Sequence, residues 1–258
     1  MTSRAQFLRR AARAALTAAL GLAVAATAAA APRKVAVLSL IGDKLEVVYP
    51  QMITGSRLDQ NIRHPIEDRT GEFDRFTLGA AAQAIAEVDP AIGTALISMG
   101  PSSLHARPDK LFDGKQAILP GAVVDELVRV QAQYLLLITK HRGDTRLQFT
   151  NTLTGVGSVR GLGFYLDEKI RVGVTDSSEQ AEGLIAPFAY FRLSLVDVQT
   201  GLLVRERNAA MMDVLPVVAR VGATEPWNVL DAKEKVAYVE RLIKQGLKEN
   251  VRPLLEGL

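Results

Sequence analysis

The residues able to do chemistry are few and scattered. Histidine occurs three times, at His64, His105 and His141. No two of them share a spacing that would bring both to one metal ion from a single strand or helix, so each reads as a solvated loop histidine. No G-x-S-x-G elbow presents a serine nucleophile. The absence of cysteine excludes disulfides, thiolate metal sites and an acylated N-terminal cysteine. Gly155, Gly157, Gly161 and Gly163 invite comparison with a phosphate loop. Their spacing is G-x-G-x-x-x-G-x-G, and Phe164-Tyr165-Leu166 follows where a helix N-terminus would have to hold phosphate. Arg142-Gly143-Asp144 reads as a turn between strands. Asp167, Asp197 and Asp213 could build an acid–base site only if the fold gathered them. Nothing in the pattern asks for a cofactor or a metal.

The stretch best suited to recognition is 153–186. It reads as a long loop insert, and long loops in ordered domains are often functional. Its glycines, Gly155, Gly157, Gly161 and Gly163, let the backbone lie closely against a neighbour. Arg160, Phe164 and Tyr165 are residue types enriched at protein interfaces. These seven residues are the expected partner-binding set, with Phe164 and Tyr165 folding back onto the sheet as the alternative.

The N-terminus has the three parts of a secretory leader. Arg4, Arg9, Arg10 and Arg13 form a basic region, 14–26 an Ala/Leu-rich apolar region, and Ala28 and Ala30 an A-x-A site. Cleavage between Ala30 and Ala31 is expected, because a cut after Ala31 would leave Pro32 first; the alternative is an uncleaved anchor, since 14–31 is just long enough to span a bilayer. The leader also explains the basic balance of the chain. The whole sequence carries 31 basic and 28 acidic residues; without the four leader arginines, 27 face 28. A near-neutral mature chain gives no electrostatic reason to bind nucleic acid or anionic membrane. No apolar stretch after the leader is long enough to span a bilayer as a helix. The expected organisation is therefore a signal peptide at 1–30 and one domain at 31–258, placed in the periplasm or secreted.

The elements that must position any site follow from periodicity. Residues 35–41 (VAVLSLI) form a continuous apolar run ending at Gly42-Asp43, a buried strand. A short strand at 45–49 and a long polar loop at 50–72 follow. Phe73, Phe76, Ala80, Ala84 and Val88 share one helical face, and Asp89-Pro90 ends that helix. A strand at 94–99, a loop at 100–120 and a helix at 122–131 lead to the apolar strand 134–138, expected at mid-sheet. Hairpins come next, at 146–150 and at 188–198 with 202–212, the latter pair joined by Thr200-Gly201. A last helix over 231–251 begins with Asp231 and Glu234 in capping-box spacing. This order predicts an α/β (α+β) fold: one mixed sheet with helices packed on it. Leu136 and Leu193 are expected in a common core.

Two segments resemble a group of bacterial envelope domains. Ala132-Gln133-Tyr134-Leu135-Leu136-Leu137 is similar to their alanine-aspartate-tyrosine segment, and Asp197-Val198-Gln199-Thr200-Gly201 to their aspartate-x-x-threonine-glycine hairpin. Both patterns occur in CsgG-like, LpoB-like and TolB-N-terminal-like domains, and the likeness spans 33–40, 73–140 and 187–255. It implies a small α/β domain used for assembly and protein contact. The chain departs from those proteins in lacking a lipidated cysteine, so membrane anchoring is not implied. The block Gly42-Asp43-Lys44-Leu45 also resembles the opening of SGNH-type hydrolases. Lys44 stands at the serine position, and no histidine follows His141 to act as base. The expected function is an exported, non-catalytic binding or assembly-accessory domain contacting another envelope protein. A hydrolase-like enzyme or degenerate SGNH-type relative with a site built from dispersed carboxylates, and a small-ligand carrier, stay open as alternatives.

Overall fold

The computed structural model describes residues 33–51, 59, 61–100, 103–148, 153–173, 180–217 and 225–258. Residues 33–258 form one compact unit. The leader and its cleavage site lie outside the described residues. The architecture is α/β (α+β), a ten-stranded mixed sheet with helices packed on it.

The first apolar run forms β1 (Lys34–Leu40), followed by β2 (Lys44–Tyr49) and β3 (Ile62–Glu67). Next come α1 (Glu72–Val88), β4 (Gly93–Ile97), a helical turn α2 (Ser103–Ala106) and the two-residue strands β5 (Phe112–Asp113) and β6 (Gln116–Ala117). Helix α3 (Gly121–Arg129) leads into β7 (Tyr134–Lys140), then β8 (Arg142–Asp144), β9 (Leu147–Gln148) and β10 (Leu153–Thr154). The chain closes with two long strands, β11 (Ser158–Gly173) and β12 (Gln180–Asp197), then β13 (Leu203–Met212), β14 (Leu215–Pro216) and α4 (Ala232–Leu255).

The sheet order is β3-β2-β11-β12-β7-β1-β4. Strand β12 is its spine. One edge pairs first with β11, from Gly173↔Gln180 to Gly161↔Tyr190, and then with β7, from Phe191↔Lys140 to Asp197↔Tyr134. The other edge carries β13 and β14. Two half-sheets, β11-β2-β3 and β7-β1-β4, thus hang from successive halves of one strand. Within the second, β1 runs parallel to both neighbours, with Val37 opposite Leu96 and Leu136. Parallel strands are covered on both faces, which is why β1 and β7 are apolar without alternation.

Alternation along β12 sorts the core. Ile185, Ala189, Phe191, Leu193 and Leu195 face α1 and α4, where they pack with Ile85, Leu242 and Leu247. Leu136 and Leu193 are both buried in this layer, as expected. On the opposite face Leu184, Phe188 and Tyr190 pack with Val48 and Tyr165. A separate cluster lies under α3, where Val123 and Leu127 meet Leu38, Leu135 and Leu137. Helix α4 begins with the expected box: Glu234 N–H donates to Asp231 Oδ1 and Asp231 N–H to Glu234 Oε2, each at 2.8 Å. Gly201 closes the β12–β13 turn at φ +69°.

Three expectations are corrected. The long loop at 50–72 contains β3, which pairs antiparallel with β2 from Tyr49↔Ile62 to Lys44↔Glu67. Arg142-Gly143-Asp144 is a short strand beside β11, not a turn. The loop insert at 153–186 is largely sheet: β11 and the first part of β12 run through it as a long antiparallel pair. Residues 174–179 lie outside the described residues, as does the 149–150 end of the expected hairpin at 146–150.

Candidate functional site

In an open α/β sheet, ligands collect beyond the carboxyl ends of the parallel strands. In this chain that edge follows β1, β4 and β7, and it holds a cluster of polar side chains. Asp74 on the first turn of α1 accepts hydrogen bonds at Oδ1 from Ser39 Oγ (2.6 Å), Ile41 N–H (3.0 Å) and Gly42 N–H (3.0 Å). Its Oδ2 lies 2.8 Å from His105 Nε2, so the imidazole carries its proton there. His105 is not a loop histidine in solvent: at 1% exposure it is buried with Ser39 (2%) and Asp74 (6%).

Serine, histidine and aspartate together suggest nucleophilic catalysis, but the order is wrong for it. The base must stand between nucleophile and carboxylate. Here the carboxylate stands in the middle, with both oxygens engaged. The arrangement is a clasp that ties the end of β1, the start of α1 and the α2 turn together. Gly42 belongs to it, because a Cβ there would fall 2.4 Å from the Asp74 nitrogen. Beside the clasp, buried Lys140 at the end of β7 pairs with Asp43. Burial is the largest influence on the Lys140 ammonium and lowers its pKa, although Asp43 opposes the shift. Lys44, at the position resembling a hydrolase serine, has its Nζ 3.5 Å from Glu46 Oε1 at the start of β2.

The expected partner-binding residues take up structural places. Gly157 (φ +72°) sits where a side chain would strike Asn61 Nδ2 at 2.5 Å. Gly163 lets β11 approach β2 so closely that a Cβ would fall 1.9 Å from Glu46 O. Gly155 abuts the Thr145 carbonyl, and Gly161 covers the Lys140 stem. Arg160 is half-buried on β11, opposite Arg142. Phe164 and Tyr165 are fully buried, on opposite faces of β11. Phe164 meets Trp227 edge-on at 5.5 Å. Neither ring is a surface anchor, because successive residues of a strand covered on both faces point into two different cores.

Sequence reasoning also missed an ionic hub at the start of β3. Asp59 accepts from Arg63 Nη2 (2.6 Å), Arg142 Nη2 (2.7 Å), Asn61 N–H (3.2 Å) and Ser158 Oγ. Burial alone would raise its pKa; the hydrogen bonds, led by Ser158, outweigh burial and lower it to about 2. The dispersed carboxylates serve separate turns and pairs. Asp167 accepts from Lys169 N–H and Ile170 N–H, Asp197 from Thr200 N–H and Oγ1, and Asp213 from Arg241. Among the described residues no group of three histidines or carboxylates could hold a metal.

Near α3 the surface exposes large apolar side chains. Ile118, Val124 and Val128 are 53%, 43% and 68% exposed. Val124 and Val128 stand four apart on the outer side of α3, while Val123 and Leu127 are buried beneath it. Ile118 and Val124 border a groove of about 300 Å³ whose walls include Leu119, Leu135, Val196 and Val198. The signal was present in the sequence: a helix with valine on both faces has more apolar surface than one core contact needs. No helix among the described residues is long and apolar enough to cross a membrane.

No family model matches the chain, and no curated protein matches it significantly. Among solved structures it is similar to a homolog of neuraminyllactose-binding hemagglutinin from Helicobacter pylori, at 8% identity over 88% of this chain and 87% of the other, TM-score 0.41. A DUF330 protein from Xanthomonas campestris follows at 11% identity, 86% and 83% coverage, and TM-score 0.38. The LpoB C-terminal domain from Salmonella enterica is similar at 12% identity over 74% and 90% of the chains, TM-score 0.23. These values assign no function.

Proposed function

We propose that this chain is exported and acts as a non-catalytic binding domain, docking another protein of the cell envelope on the groove beside α3. The observation that carries this reading is the exposed apolar set Ile118, Val124 and Val128, of which Ile118 and Val124 border a groove with apolar walls. Large apolar side chains gathered at a concave surface mark an interaction site more often than a chance exposure. The polar groups at the strand ends support the non-catalytic part, since they are sealed in structural bonds. The leader pattern supports export. The docked segment presents one or two apolar side chains to the groove and needs no strong charge, because the mature chain has almost no net charge.

Photo-crosslinking in cells tests the reading. A photoreactive residue at Val128 or Val124 is expected to yield a discrete adduct in the envelope fraction, and one at exposed Lys248 on α4 none. Adducts equally abundant at Lys248, or absent from both valines, would refute docking at this groove. N-terminal sequencing of the recovered protein checks processing between Ala30 and Ala31.

A further inference from the structure

The β4 edge of the sheet is unguarded. An edge strand offers a row of unpaired N–H and C=O groups to any other strand, and native proteins block such rows with charges or proline. Strand β3, at one end of the sheet order, carries Arg63, His64, Pro65 and Glu67. Strand β13, on the outer side of β12, carries Arg205, Glu206 and Arg207. Strand β4, at the other end of the order, is Gly93-Thr94-Ala95-Leu96-Ile97. It has neither charge nor proline, and neither follows before Pro101.

The backbone shows which groups this edge offers. Gly93 N–H donates to the Arg33 carbonyl at 2.8 Å, in register with the parallel pairing of β4 and β1. Gly93, Ala95 and Ile97 therefore turn their backbone groups toward β1, and Thr94 and Leu96, the alternate residues, turn theirs outward. Among the described residues no strand lies beyond β4 to meet them. The Leu96 side chain stands beside buried Val37 on the face covered by α1, yet Leu96 is 49% exposed.

The occupant that fits this edge is a second copy of the same edge. Antiparallel pairing about a twofold axis at Leu96 sets Leu96 against Leu96 and Thr94 against Ser98, so outward groups meet outward groups and the two exposed leucines cover each other. No charge on either copy is brought against a like charge, and the nearly neutral mature chain adds no long-range repulsion. An edge paired with itself also closes the assembly at two copies, since the guarded β3 and β13 edges offer no site for growth. We infer that two copies of this chain join along β4, antiparallel, into one continuous sheet. The surface is distinct from the α3 groove, and the inference does not rest on docking there.

Sedimentation equilibrium of the purified protein without its leader tests it. Two short strands and a leucine pair make a modest interface, so monomer should pass to dimer between about 1 and 100 μM. Leu96→Lys puts like charges opposite each other and should weaken association about 10-fold or more, with an unchanged melting temperature in dilute solution. If that variant fails to fold, Thr94→Pro removes an outward N–H that the monomer does not use, and it should have the same effect. Because the chain has no cysteine, Leu96→Cys can bridge only to its own copy. Mild oxidation should give a disulfide dimer from Leu96→Cys and none from Lys248→Cys on α4. The inference is overturned if wild type stays monomeric across that range, or if Leu96→Lys associates as wild type does. It is equally overturned if Leu96→Cys bridges no faster than Lys248→Cys, or if Val128→Asp on α3 abolishes the dimer while Leu96→Lys leaves it intact.

Discussion

Replacing Asp74 with alanine tests whether the buried clasp is structural. The carboxylate accepts from Ser39 Oγ, Ile41 N–H and Gly42 N–H and meets His105 Nε2, all within 3.0 Å. Alanine leaves two backbone donors, a hydroxyl and an imidazole without this acceptor. Each buried donor left unsatisfied costs about 1–3 kcal/mol, and the hydroxyl can rotate to recover part of its share. We expect a total of about 3–5 kcal/mol, a large fraction of the roughly 5–15 kcal/mol that holds a domain together. Asp74→Asn is the informative companion. Its amide oxygen can still accept the three bonds on the Oδ1 side, but without charge assistance, so about 1–2 kcal/mol is expected. At about 2–4 °C per kcal/mol for a domain of this size, alanine should lower Tm by about 6–20 °C and asparagine by about 2–8 °C. Circular dichroism melts and urea titrations read both. An alanine variant melting within 2 °C of wild type, or one indistinguishable from asparagine, would refute the clasp.

Acid should act through Asp59. Its pKa is depressed from 3.8 to about 2, so its contribution is complete above about pH 4 and is lost as pH falls toward 2. Between pH 5 and pH 3 the shift corresponds to about 1 kcal/mol, reduced by solvent screening to about 0.5–1 kcal/mol; this loss in the urea midpoints should be absent in Asp59→Asn. Lys140→Ala strands the Asp43 carboxylate and should cost about 3–5 kcal/mol in urea unfolding; Lys140→Ala combined with Asp43→Ala should recover part of it. Gly246→Ala places a Cβ 2.7 Å from the Phe191 ring. It should lower stability by about 1–3 kcal/mol although alanine is the better helix former, and Phe191→Leu should relieve the loss.

The parts of the fold legible in sequence are those where burial follows a period. The apolar runs of β1 and β7, the stripe of α1, the Thr200-Gly201 turn and the Asp231/Glu234 box all appear at their expected places. Strand β3 was illegible for a physical reason: Ile-Arg-His-Pro-Ile-Glu is an exposed edge strand, so neither face imposes apolar alternation, and Pro65 argues against a strand. The glycines of 155–163 looked like flexibility because a single sequence does not distinguish freedom from close approach. At Gly163 the constraint is the backbone of β2, more than a hundred residues earlier in the chain. The Asp74 clasp left no local trace, since its partners sit 35 and 31 residues away on either side. The outer valines of α3 are legible from their four-residue spacing, whereas the burial of Phe164 and Tyr165 on both faces of β11 depends on strands distant in sequence.

The arrangement of β12 has a kinetic consequence. Its amides in the 191–196 stretch are flanked by β7 on one edge and β13 on the other, and those nearer its start by β11 and β14. Neither half-sheet can detach from this strand without exposing the layer beneath α1 and α4, because Phe191 and Leu193 belong to it. Hydrogen exchange along the middle of β12 should therefore require opening of the whole domain, whereas the edge strands β3 and β4 exchange through local fraying. A partner held at the α3 groove, under the β7 half, would then slow exchange in strands it never touches, by making that shared opening rarer.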